Sequence, residues 1–520
     1  MGASQPRKAG LQFSSNVLVN AIAFATNVIV GILLVPFFIN ELGVAAYGLV
    51  PLATSVTSYV AVIADSMGTA TSRFLTKAFN SSEPEKANSA YTTSVIGMFF
   101  IVLMLIPVII IVAFLSPYFF DVASNSNFDV MALFLLVFSS MLINVLGYGF
   151  VSVLFAKNRV DCHSAVKFLQ VFLQASFILI LFNVFPPSLV NIGVAYIFAA
   201  CLSLIVLFVL VKRIYPGSKV RRSEFDRSLN KEIMSLSRWE VVDRIGVLLL
   251  IQASLVITNP LLGAEIAGKF AVVVMVITAI SVFAGTMSSA FTPVTYMKYE
   301  IGKKDEMVRI CTSGAKVVGI ILAMPVAFVC VFSAQIFTIW VGPSFTNLSP
   351  VLFLMLFVLA GSLSFTPIIP ISTAYFKVKM RSLATVSFGM LNIVLAVVFV
   401  MVLDMGLMGI AIGWATSEML RSWVFLPYYH RKITGRKDWG FYRPTLTYVT
   451  AFIPSVIIGM IINTHFTVPA SIIVLLVILM IWFIVYLMVI PRLLLNENER
   501  DIIRQCLPSS IEKRISKKIL

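Results

Sequence analysis

The residues of this sequence that could do chemistry are charged and amide side chains set inside long apolar stretches. One apolar run carries Glu240, Arg244, Gln252 and Asn259, which fall within an arc of about 120° at 100° per residue. The uncharged stretch 245–258 is shorter than the roughly 20 residues that cross a bilayer, which places Arg244 inside the apolar layer. Intramembrane charge is costly and by default functional. Arg244 therefore lines a polar cavity, snorkels to the interface, or pairs with Glu240 one turn earlier. Glu418 and Arg421 stand three positions apart and share a helical face, either as cavity groups or as a structural ion pair. Lys316 stands near the edge of another apolar run, within snorkelling reach of water. Asn16, Asn20 and Asn27 form an amide stripe within about 40°. It either glues helices together or faces a cavity.

Nothing here makes an enzyme. No nucleotide loop, zinc spacing or nucleophile constellation occurs, and His163, His430 and His465 are scattered. The cysteines number five, Cys162, Cys201, Cys311, Cys330 and Cys506, with neither metal spacing nor a disulfide framework. No cofactor or metal is expected. No loop is long enough to fold as a soluble ATPase, so any work must draw on a gradient or on the membrane potential.

The elements that position these residues are membrane helices. Charged residues make up 12% of the chain and hydrophobic ones 59%, against about 25% charged in a soluble domain; the mean hydropathy is +0.98. The fold class is an all-α polytopic membrane protein, since the roughly 10-residue alternating strands of a barrel are missing. About fourteen spans are expected, near 13–38, 47–71, 92–115, 130–155, 164–184, 190–211, 238–259, 266–290, 310–334, 349–373, 380–403, 406–428, 445–463 and 469–490. With the N-terminus inside, of 39 Lys and Arg only Lys269 falls on the outer side, while Glu41, Asp121, Asp129, Glu265 and Asp404 mark the outer loops. Dropping one span would break that alternation. Both termini are thus expected in the cytoplasm of a cell membrane. The net charge of +16 is the positive-inside signature, so no nucleic-acid partner is expected. Arg7 and Lys8 precede an apolar run too long for a cleaved signal, so the first span is expected to stay.

An internal echo organises the chain. Leu42-Gly43 with Gly48 returns as Leu262-Gly263 with Gly268. Lys157 and Arg159 after span four return as Lys377 and Lys379 after span ten, and Gly193 has a counterpart in Gly409. Glu240 lies 220 positions after Asn20. The unit is six spans, an even number, so the halves are parallel, with a site expected between them. The domains are an N-terminal bundle over 1–211 and a cytoplasmic basic linker over 212–237. A C-terminal bundle over 238–432, two extra spans over 433–490 and a basic tail over 491–520 follow. In the linker, Phe225, Leu229 and Ile233 with Ser223 and Asp226 suggest a short amphipathic helix on the inner leaflet; a solvated linker is the alternative. Pro51, Pro107, Pro325, Pro367 with Pro370, and Pro454 permit bends within spans.

Leu42-Gly43, Tyr47-Gly48, Asp65, Gly68 and Arg73-Phe74, with the second-half echo and the six-plus-six-plus-two plan, resemble the polysaccharide-transport branch of the multidrug/oligosaccharidyl-lipid/polysaccharide exporter superfamily. That branch holds O-antigen and teuchuronic-type polysaccharide flippases. The resemblance implies export of a glycan linked to a polyprenyl phosphate or pyrophosphate, by alternating access. Membrane lipids and glycan-assembly enzymes would be its partners. Arg244, Arg421 and Lys316 are placed to meet the phosphate, with Glu240 and Glu418 beside two of them. Asp65, Arg73 and Lys269 are further ligand candidates. A drug–cation antiporter of the same superfamily is the alternative, and would need an unpaired membrane carboxylate, for which Glu418 stands. A glycan polymerase or ligase would need a large outer loop, and a scaffold for glycan assembly is the remaining reading.

Overall fold

The computed structural model describes residues 19, 26, 29–80, 84–121, 126–289, 291–466 and 468–496. Asn16, Asn20, Asn27 and the tail from Glu497 lie outside the described residues, as do the side chains of Asp65, Arg73 and Glu240. Every regular element described is helical: α1 (Ile29–Leu42), α2 (Val44–Asn80), α3 (Pro84–Phe119), α4 (Asn127–Ala156), α5 (Val160–Val184), α6 (Leu189–Ile214), α7 (Arg227–Leu262), α8 (Ala264–Ser289), α9 (Phe291–Glu300), α10 (Lys304–Val331), α11 (Ser333–Trp340), α12 (Ser349–Leu363), α13 (Ile369–Ala374), α14 (Val378–Met401), α15 (Gly406–Met419), α16 (Leu426–Thr434), α17 (Arg443–Phe466) and α18 (Ile472–Leu494). Among the described residues, 12 helical segments are long and apolar enough to span a bilayer, and they coincide with all but two of the expected spans. Of the other two, the first falls mostly outside the described residues. The twelfth is interrupted where a π-helical turn, Leu420–Phe425, joins α15 to α16. The chain is an all-α polytopic membrane protein. Its outward faces agree: α3 exposes Phe100, Met104 and Ile111, and α18 exposes Ile473 and Met480, apolar surface that lipid covers.

Two compact units form, residues 1–248 with 255–271, and residues 249–254 with 272–520. In the first, α4 packs against α2, α3 and α6, and α6 against α5. Tyr91, Val153, Leu154 and Val211 are buried there. In the second, α10 packs against α17 and α12, and α14 against α15. Met307, Val308, Phe365 and Phe441 are buried at one end of it.

The echo in the sequence is an echo in backbone. Gly43 and Gly263 both take positive φ, 84° and 89°, where glycine adds no Cβ strain. Each ends one helix and starts the next, α1 to α2 and α7 to α8. The helix starts then meet: a Cβ on Gly48 would lie 2.7 Å from the Gly268 backbone, and one on Gly268 would lie 2.1 Å from the Val44 carbonyl oxygen. The turn after α4 repeats after α13, with Asn158 at φ 55° and Phe376 at φ 54°. Matching bonds run from Arg159 N to Leu154 O and from Lys377 N to Ser372 O. The offset is 220 between the glycines and 218 between these turns, so Arg159 corresponds to Lys377. A discriminating result follows. Gly43→Ala meets nothing within 4 Å and loses only about 1–2 kcal/mol from the left-handed backbone. Gly268→Ala drives a methyl into backbone, and overpacking of that kind costs 1–3 kcal/mol or more. Thermal unfolding in detergent is expected to rank Gly268→Ala well below Gly43→Ala; equal midpoints would contradict the close approach.

Of the prolines expected to permit bends, one pair stands at a break between helices. Pro51, Pro107, Pro325 and Pro454 lie inside continuous helices. Around Pro367 and Pro370, α12 gives way to a 3-10 turn and the short α13. The linker forms no separate amphipathic helix. It runs extended with one 3-10 turn at Arg222–Glu224, and the helix beginning at Arg227 continues unbroken into the next span. The first turns of α3 hold it. Asn88 binds Glu224 and the Lys219 N–H, Thr92 donates to Lys219 O, and Thr93 accepts from the Asp226 N–H. Asp226, not Ser223, caps α7, accepting from the N–H groups of Ser228 and Leu229. The bonds from Ser228 and Leu229 hold its carboxyl below the ordinary range.

Candidate functional site

A cavity of about 280 Å³, with one polar wall in a largely apolar lining, opens within the first unit between α2, α4, α5 and α6, near the lower end of the roughly 300–1,000 Å³ of ligand pockets. Its most polar wall is α5. His163, Lys167, Gln170 and Gln174 line it, and at 100° per residue they fall within about 60° of one another. At 1.5 Å per residue, His163 and Gln174 are about 16 Å apart along the axis. The stripe therefore runs from the basic turn Lys157–Arg159 to about mid-span. The Gln170 amide donates to Asn144 Oδ1 of α4 at 3.1 Å. Thr54, Thr57 and Tyr196 complete the rim. Thr54 and Thr57 return their hydroxyl protons to helix carbonyls, leaving oxygen lone pairs as acceptors. His163 Nδ1 and Ser203 Oγ are buried without a hydrogen-bond partner among the described residues. A buried polar atom in that state has capacity for a ligand or water. Among the described lining residues there is one formal cation, Lys167, and no carboxylate.

The residues singled out in the sequence stand elsewhere. Glu418 is 4% exposed and forms a bidentate pair with Arg421, Nε to Oε2 at 3.0 Å and Nη2 to Oε1 at 2.7 Å. Ser422 Oγ donates to the same carboxylate at 2.6 Å. Asn259 is buried and clasps the main chain of Asp121, accepting from its N–H at 2.7 Å and donating to its carbonyl at 3.2 Å. Asp121 in turn accepts from the Ala264 N–H at 3.0 Å, so these two residues knit the α7–α8 turn to the end of α3. Arg244 lies within the apolar part of α7; neither it nor Gln252 is without a partner. Lys316 lines a second cavity, in the second unit. Lys269 is paired with Glu265 at 2.7 Å. Asn392 was not anticipated: it donates to the carbonyls of Leu249 and Leu250 and to Ser254 Oγ, tying α14 to that segment of α7. The α5 stripe was also missed. Its signal is present in the sequence, as polar residues at i, i+4, i+7 and i+11 in an apolar run, but two of the four are neutral amides and only Lys167 carries a fixed formal charge.

Helices of this length and apolarity, with a cavity that has no acid among its described lining residues, define a polytopic all-α membrane protein. Residues 13–297 match the family described as polysaccharide biosynthesis protein. The chain is 30% identical over 427 residues to the uncharacterized membrane protein EpsK of Bacillus subtilis (strain 168), covering 82% of this chain and 85% of that one. It belongs to that polysaccharide biosynthesis family. The fold is similar to that of the lipid II flippase MurJ in an inward closed conformation, with a TM-score of 0.68 at 14% identity over 91% of this chain and 99% of the other. It is also similar to an inward-facing multidrug resistance MATE family transporter, with a TM-score of 0.62 at 13% identity over 86% and 99%.

Proposed function

We propose that the protein flips a lipid-linked oligosaccharide or polysaccharide precursor across the cytoplasmic membrane by alternating access, with both termini in the cytoplasm. One observation carries the reading: the α5 stripe faces Asn144 in a cavity holding amides, hydroxyls and one ammonium, with no acid among its described lining residues. Amides and hydroxyls match sugar hydroxyls as donor and acceptor. The Lys167 ammonium matches a phosphate or pyrophosphate as a point charge. The polyprenyl tail stays in lipid, because transferring it onto the polar α5 wall would forfeit its apolar environment. Membrane lipids surround the carrier, and glycan-assembly enzymes supply and consume its cargo.

The drug–cation antiporter is disfavoured on the same ground. Cation exchange calls for an available carboxylate, and the buried Glu418 is already bound to Arg421 and Ser422. Arg244 keeps its proposed role as a second phosphate contact. In proteoliposomes, a fluorescent polyprenyl-pyrophosphate glycan in the inner leaflet becomes accessible to an external quencher as it is flipped. Arg244→Ala is expected to slow that signal several-fold with the protein still folded; an unchanged rate removes Arg244 from the path. Failure of the unmodified protein to flip any such lipid, with cation efflux in its place, would overturn the flippase reading.

A further inference from the structure

The second unit holds a larger cavity of about 640 Å³ at the Lys304 end of α10. Three cations on two walls define it. On α10, Arg309 and Lys316 are seven residues apart with Thr312 and Ser313 between them, one helical face about 10 Å long. Arg309 is exposed, and Lys316 is 9% exposed, so the face runs from an open rim to a buried ammonium. Arg443, at the start of α17, faces it from the loop side. The floor is firm: Phe441 is fully buried among Met307, Val308 and Phe365.

The acids around the cavity are committed. Asp305 binds Arg436 at 2.6 Å, with Asp438 3.8 Å from the same guanidinium. Glu306 binds Lys298 at 2.5 Å and Lys303 at 3.5 Å. Arg309 and Arg443 make no ion pair among the described residues. What remains is a cationic cleft with two guanidiniums at its mouth, the donor geometry that suits phosphate oxygens. Its depth in the membrane is marked by the same loop. Trp439 is 66% exposed, with the Tyr442 ring at 5.0 Å, and such aromatic pairs sit at headgroup level.

We propose that this cleft binds a phosphate-bearing anion, with Arg309 and Arg443 at the mouth and Lys316 at the base. It is a site separate from the α5 cavity and independent of the flippase reading. The occupant joins α10 to α17, so binding raises thermal stability. A lipid headgroup and a free phosphate share this chemistry, and two arms of one experiment separate them. The full-length protein is placed in nanodiscs of phosphatidylcholine alone, or with phosphatidylglycerol added, and its thermal midpoint is recorded. Separately, inorganic pyrophosphate is titrated onto the phosphatidylcholine sample.

A saturable rise in midpoint is expected. Arg309→Gln with Arg443→Gln shifts its half-saturation upward tenfold or more, at about fivefold per lost cationic contact. A response only to phosphatidylglycerol assigns a lipid headgroup, and one only to pyrophosphate assigns a free phosphate; either upholds the site. No response in either arm overturns it, and so does an unshifted response in a double variant whose ligand-free midpoint is unchanged. Lys316→Gln, tested alone, is expected to weaken the response without abolishing it, and serves if the double variant fails to fold. Asn496 lines the cleft, and Glu497, Glu499 and Asp501 follow it in sequence. If a response appears only in full-length protein bearing Glu497→Gln, Glu499→Gln and Asp501→Asn, the acidic tail occupies the cleft in the parent protein, and the proposal of an external anion bound there is overturned.

Discussion

Proteoliposomes carrying Lys167→Glu are expected to flip an anionic glycan lipid about tenfold more slowly than the parent protein. Lys167 is the one formal cation among the described residues of the α5 cavity. A unit charge about 4 Å from a phosphate contributes about 1 kcal/mol at the dielectric of water and about 4 kcal/mol at a dielectric near 20. Reversing its sign exchanges attraction for repulsion, so even the screened limit gives roughly tenfold or more on transport. Lys167 is solvent-exposed where it stands, and changing its charge removes no internal contact that holds the fold. The effect is therefore expected in transport and not in the thermal midpoint. Raising salt should shrink the difference, because exposed charges are screened beyond about 8 Å at physiological ionic strength. An unchanged flipping rate at low salt would place the headgroup elsewhere.

Neutralising Glu418 has the opposite profile. The carboxylate is 4% exposed and accepts two bonds from Arg421 and one from Ser422. Glu418→Ala takes the bidentate carboxylate from a guanidinium whose side chain is 15% exposed, and removing one partner of a buried pair typically costs 3–5 kcal/mol. Replacing both partners, with Glu418→Leu and Arg421→Met together, removes the broken pair and should recover most of the loss. The expected observation is a large drop in thermal midpoint for the single variant and a much smaller one for the double, with flipping by the folded fraction retained in both. Were Glu418 a coupling carboxylate, transport would be lost in the double variant despite its recovered stability.

Sequence patterning carried the architecture because the bilayer imposes a length and a polarity that single residues cannot hide. The positive-φ turns at Gly43 and Gly263 were legible because glycine has a conformational reason to be there. The matching turns carry a weaker mark, since asparagine leans to that region at Asn158 and phenylalanine does not at Phe376. The flanking basic residues Lys157, Arg159, Lys377 and Lys379 therefore align the repeat two residues out of step at that point. The π-helical turn at 420–425 likewise has no proline or glycine within it. Its Trp423 fills the space beside Gly361, where a Cβ would lie 2.3 Å from the indole, a long-range fit that local pattern does not encode. The α5 stripe was legible in principle: amides at helical spacing in an apolar run have the same periodicity as charges. Asn259 shows the converse, since an amide on a promising face proved to be holding a turn. Side-chain type located polar positions, and only packing separated those that fasten helices from those that face a cavity.

Photo-crosslinking with a polyprenyl-pyrophosphate glycan bearing a diazirine on its first sugar tests the central claim most directly. Peptide mapping of the labelled full-length protein should place the label on segments holding Asn144 and the 163–174 stripe of α5, with labelling competed away by unmodified glycan lipid and weakened by Lys167→Glu. Label absent from both segments while flipping proceeds would contradict the assignment of the α5 cavity to the cargo.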